Sequence, residues 1–117
     1  MRALILAPAL LILTSCSVLD TSFYDSNESM LAVEVRHEVE NMKCGPKTYI
    51  FSVQETVNKL QLYTESKGSK DIYKLVSKMK ETSDGLKEDM KPIFCSLKKK
   101  ALQQQSKSIA TAIMGRW

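Results

Sequence analysis

The sequence predicts an all-α fold, a small four-helix bundle. Three observations carry this expectation. Apolar residues recur at intervals of three and four through most of the chain, the signature of amphipathic helices. No stretch alternates with period two for long, and no strand-like runs frame an Asn-Gly or Asp-Gly turn. Breakers at Gly45-Pro46, Gly68 and Asp84-Gly85 cut the periodic part into four segments. A chain of 117 residues is one domain at most.

The first helix starts at Asp25-Ser26-Asn27-Glu28, which fits a capping box: Asp25 accepts from the backbone and Glu28 reaches back. Leu31, Val35, Val39 and Met42 then form one stripe, and Cys44-Gly45-Pro46 ends it, with Gly45 as a left-handed cap. The second helix is expected over Lys47–Lys67, with Ile50, Val53, Val57 and Leu60 inward, Tyr49 and Tyr63 flanking, and Gly68 as C-cap. Ser69 is the N-cap of the third, whose stripe is Ile72, Leu75, Val76 and Met79 and whose end is Asp84-Gly85. The fourth segment carries Leu86, Met90, Ile93, Phe94 and Leu97, with a start or kink at Pro92, and continues through Leu102, Ile109 and Ile113 to Gly115. Residues 101–117 allow two readings: they finish the core, or they form an amphipathic tail that docks on a partner or membrane.

The first sixteen residues, MRALILAPALLILTSC, are of another kind. Arg2 precedes an apolar run from Ala3 to Leu13 that contains Pro8. About 20 apolar residues are needed to cross a bilayer as a helix, so this shorter run suits a signal peptide. The residues Leu13-Thr14-Ser15-Cys16 resemble the lipobox of bacterial lipoproteins. That resemblance implies cleavage before Cys16 and acylation of Cys16 on its sulfur and its new amine. It also implies that Ser17, where an Asp would retain the chain at the inner membrane, sends it to the outer membrane. The competing readings are an ordinary secretory signal with a chance cysteine, or a cytosolic chain with a buried N-terminal helix. The expected organisation is a signal peptide over 1–15, a tether over 16–24 and a helical domain over 25–117.

With Cys16 lipidated, Cys44 and Cys95 remain, and an even pair in an exported chain reads as a disulfide. If neighbouring helices run antiparallel, the end of the first lies beside the start of the fourth, which brings these two cysteines together. No Cys-x-x-Cys is present, and one histidine with no close ligand pair argues against zinc.

Charge is uneven. Leu86 to Trp117 carries seven Lys/Arg and two Asp/Glu, against nine and eleven from Cys16 to Gly85. Lys98, Lys99, Lys100 and Lys107 are therefore candidates for a patch facing an anionic partner, the plainer alternative being a solvated helix face. Nucleic acid is not an expected partner, because export separates the chain from it and no aromatic platform is interleaved with the lysines.

Nothing points to catalysis. His37 is the lone histidine and neighbours Glu34 and Asn41 rather than a nucleophile. Ser-x-x-Lys occurs at Ser96–Lys99 and again at Ser77–Lys80, but the companion motifs of the serine acyl enzymes are missing. No glycine-rich phosphate loop occurs, and no cofactor or small-molecule substrate is expected. In its three cysteines, Cys16, Cys44 and Cys95, the organisation resembles the small helical pilotin lipoproteins of secretion systems. Those have a lipidated cysteine and a disulfide joining the end of the first helix to the last. The resemblance implies a non-enzymatic binding or assembly factor, lipid-anchored at the outer membrane, facing the periplasm, with an envelope protein as partner. A phage- or plasmid-encoded lipoprotein, either an outer spanin or an exclusion factor, is the alternative, as is a structural envelope lipoprotein. Only Pro46 and Pro92 follow the signal, against the Pro-rich habit of outer spanins.

Overall fold

The computed structural model describes residues 24–44 and 47–115. The expected signal peptide, Cys16 with the expected tether up to residue 23, Gly45-Pro46 and residues 116–117 lie outside them. The described residues form four α-helices and no strand: α1 (Ser26–Asn41), α2 (Lys47–Lys67), α3 (Lys70–Asp84) and α4 (Pro92–Met114). Each packs on its neighbours in the chain, and α4 closes back against α1. The result is the expected four-helix bundle.

Local chemistry sets the helix ends. Asp25 is the N-cap of α1 and accepts from the Asn27 amide at 2.8 Å. The Glu28 side chain is fully buried and meets Lys67 at the end of α2. Gly68 closes α2 at a φ of 82°, the left-handed region that only glycine enters without strain. The Gly68 amide donates to Glu65 O at 3.1 Å and the Ser69 amide to Thr64 O at 3.0 Å, which satisfies the last carbonyls of α2. Ser69 holds the N-cap position of α3. Pro92 is the first residue of α4, where its missing N–H costs nothing.

The core runs the length of the bundle. It takes Ala32, Val35, Val39 and Met42 from α1 and its end, Ile50, Val53, Val57 and Leu60 from α2, Ile72, Val76 and Met79 from α3, and Leu86 from the α3–α4 loop. Leu31 and Leu75, expected inside, are half-buried at its edge, and Tyr24, assigned to the tether, also packs against it.

In α4 the observed register corrects the expected one. Its inward residues are Cys95, Leu102, Ser106, Ile109 and Ile113. Ile93, Phe94 and Leu97, expected inside, are 66%, 53% and 58% exposed. At 100° per residue, Ile93 and Leu97 lie about 160° from Cys95, and Phe94 about 100°. Leu102, Ile109 and Ile113 finish the core, so the stretch from Ala101 to Met114 is a wall of the bundle and not a free docking tail.

Cys44 and Cys95 form a disulfide with Cα atoms 5.8 Å apart, joining the end of α1 to the first turn of α4. Among the described residues every hydrophobic core residue lies between Ala32 and Ile113, and both ends of the disulfide lie in the same span. The helical domain therefore carries a core of its own.

Candidate functional site

The antiparallel packing of α1 and α4 gives the bundle two chemically different ends. At one, α1 begins and α4 finishes: the Ser29 hydroxyl donates to the Met114 sulfur at 3.9 Å. The described chain begins here at Tyr24, after the segment expected as a tether, and this is called the tether end. At the other, α1 finishes and α4 begins beside the disulfide.

The tether end is locked by a polar cluster. The Tyr63 hydroxyl donates to the Asp25 carboxylate, and the Lys67 ammonium sits 4.0 Å from Asp25 and 3.4 Å from Glu28. Burial alone would raise the Asp25 pKa. The Tyr63 hydroxyl, the Asn27 amide and Lys67 together outweigh it and hold the carboxyl below its ordinary value. The bond to Asp25, with burial, pushes the Tyr63 phenol up. These groups join α1 to α2 and are engaged with one another, so the cluster is structural.

The disulfide end carries exposed apolar surface. Ile93, Phe94 and Leu97 fall at i, i+1 and i+4 on the first two turns of α4, and Phe51 on α2 is 62% exposed. Phe51 lines a hollow of about 190 Å³ with Ile50, Gln54, Leu86 and Glu88. An exposed apolar cluster of this kind is a candidate surface for contact with another molecule.

The four candidate lysines do not form one patch. Lys98, Lys99 and Lys100 fan out over about 200° of the helix. Lys99 donates to Met42 O at 3.0 Å, at the end of α1. Lys98 lies over Gly85, where a Cβ would come within 2.8 Å of its Nζ. Both therefore place positive charge at helix C-termini, where it is favoured, and complete the fold. Lys100 and Lys107 share an outward face, one behind the other by two turns. Lys107 lines an open groove of about 630 Å³ between α1 and α4 with Val33, Arg36, Ala110, Thr111, Met114 and Gly115. The α4 side of this groove belongs to the segment 101–117 expected as a possible docking tail, whereas Val33 and Arg36 of α1 are not marked by the sequence. Arg36 and Lys107 are 71 positions apart in the chain, and only the pairing of α1 with α4 brings them together.

His37 is exposed, with the Asn41 amide nitrogen 3.3 Å from its Nδ1. Of the Ser-x-x-Lys pairs, Lys99 is held by Met42 O and Lys80 by Asp84 at 3.0 Å. Among the described residues no group of three His, Cys, Asp or Glu is placed to hold a metal ion. Nor is any helix among them long and apolar enough to cross a membrane. Cys16 lies outside the described residues. Comparison of the chain with protein-family models, curated proteins and solved structures finds no match.

Proposed function

We propose that this protein is a lipid-anchored, non-enzymatic binding or assembly factor of the bacterial envelope, tethered through acylated Cys16 at the outer membrane. The observation that carries the binding role is the apolar surface of Ile93, Phe94 and Leu97. Those three side chains stay exposed together on the first two turns of α4. Their position fits the anchor. The chain enters the bundle at Tyr24, and the cluster sits at the opposite end, beside Cys44 and Cys95. A domain held at Cys16 turns this surface away from its own membrane and toward a protein in the periplasm. The disulfide supports the same address, because such bonds persist outside the reducing cytosol.

The test uses the full chain made in a bacterium with an outer membrane. Labelled palmitate is expected in the wild-type protein and not in Cys16→Ser, and the mature mass is expected to lack residues 1–15. An uncut, unlabelled chain overturns the anchor. For the binding role, the tagged protein is recovered from detergent-solubilised envelopes. One envelope protein is expected to copurify with the wild type and to be lost with Phe94→Asp/Leu97→Asp. Recovery of the same proteins by both forms overturns the role of this surface.

A further inference from the structure

We infer that the groove between α1 and α4 at the tether end seats against an anionic lipid surface, and so sets how the domain stands on its membrane. Arg36 and Lys107 flank the groove, with Val33 and Met114 as its apolar lining. Both apolar residues are exposed, as is Met30, one turn before Val33 on the outer side of α1. Among the described residues no carboxylate lies within 4.0 Å of either cation. Farther along the same seam stands a carboxylate, Glu40, to which Gln103 donates at 3.2 Å. The two cations of the groove thus lie on the side of Glu40 nearer the tether.

Position selects a membrane as the occupant. Met114 touches Ser29 in the first turn of α1, four residues after Asp25 caps it. The eight steps from Cys16 to Tyr24 reach at most about 28 Å when extended. Met114 is therefore held within a few nanometres of the headgroups, with Lys107 and Arg36 about 10–15 Å farther along the bundle, and the apolar cluster of Ile93 about 30 Å farther. Cations beside exposed aliphatic side chains are the pattern of an element lying in the headgroup region: the cations meet lipid phosphates while methionine and valine enter the acyl boundary.

This orientation in the cell rests on the acylation of Cys16 proposed above, so the test leaves Cys16 out. Residues 24–117 are mixed at low ionic strength with vesicles of phosphatidylglycerol and phosphatidylethanolamine, and with vesicles of phosphatidylcholine alone, and bound protein is read by flotation. Binding is expected to the anionic vesicles only and to weaken with added salt. Arg36→Gln and Lys107→Gln should each weaken it about fivefold, and the pair about 25-fold. Lys100→Gln, on the same helix face two turns toward the disulfide end, should leave it unchanged. All three side chains lie at the surface, so a thermal melt verifies that each variant is folded. Binding that is absent, equal on neutral vesicles or indifferent to Arg36 and Lys107 overturns the inference, and an acidic protein then becomes the occupant of the groove. Failure of palmitate labelling, in contrast, would remove the anchor and leave the vesicle result standing.

Discussion

Asp25 caps α1 and at the same time joins it to α2, and the two tasks use different oxygens. Oδ1 accepts from the Asn27 amide at 2.8 Å, while Oδ2 takes the Tyr63 hydroxyl and faces Lys67. Half of this was legible beforehand: a capping residue can be recognised from the four residues around it. The partners Tyr63 and Lys67 could not be, because they lie about forty positions along the chain and reach Asp25 only when α2 returns antiparallel. For the same reason the contact of Glu28, the expected reciprocal member of the capping box, with Lys67 of α2 could not be foreseen. The pH dependence follows from the direction of the Asp25 shift. Its folded pKa lies below its unfolded value, so its contribution is fully present above about pH 4 and is lost as the pH falls through the lower folded value. Tyr63→Phe removes one of the groups that hold the carboxyl down. It should cost about 1.5 kcal/mol at pH 7, as expected of a hydrogen bond to a charged group. The deficit should narrow in urea unfolding at pH 3, below the pKa of Asp25 in the unfolded chain. An equal loss at both pH values would mean that Tyr63 acts through packing rather than through its hydroxyl.

At the level of the elements, α2 and α3 show how far periodicity can carry. The bounds of α2 agree with those expected, and Ile50, Val53, Val57 and Leu60 all lie inside. Four apolar residues at helical spacing, bounded by glycines, leave one way to face a core. α4 was harder, because its first turn offers several apolar residues and only the far part of the helix reveals the register. Leu102, Ile109 and Ile113 fix the inward direction, and extending it back by seven residues from Leu102 reaches Cys95, not Ile93 or Leu97. Size misleads here: a small cysteine holds the core position while larger side chains lie outside. The same register decides what the C-terminal segment does. Deleting residues 103–117 removes Ser106, Ile109 and Ile113 from the wall and uncovers Ala32 and Val35 of α1. Large-to-small changes at one buried aliphatic site already cost about 2–5 kcal/mol, so losing two isoleucines and their helix should exceed the stability of a domain this size. The truncated chain should show no cooperative melt by circular dichroism. A melting temperature close to that of the full chain would return the segment to the status of a docking tail.

Considered as a whole, the bundle is fastened differently at its two ends. The tether end depends on the polar cluster of Asp25, Tyr63, Lys67 and Glu28, and the far end on the bond between Cys44 and Cys95. The bond spans 51 positions, so it closes α2 and α3 into one loop whose base joins α1 to α4. By loop-closure entropy a constraint of that length stabilises by about 4 kcal/mol, a large share of the roughly 5–15 kcal/mol typical of a domain. The lysines beside it cannot replace it. Lys99 bonds a single carbonyl, Met42 O, and a hydrogen bond contributes about 1–3 kcal/mol at most. Reduction should therefore lower the melting temperature by roughly 15–30 °C. The loss should also be uneven in space. Hydrogen exchange should accelerate first at the end of α1 and the first turns of α4, where the exposed Ile93, Phe94 and Leu97 contribute little packing. The turns around Ser29 and Met114, held by the polar cluster and the core residue Ile113, should keep their protection longer. A protein that melts at the same temperature with and without reductant would show that the four-helix core suffices alone. The disulfide would then no longer argue for a site of action outside the cytosol.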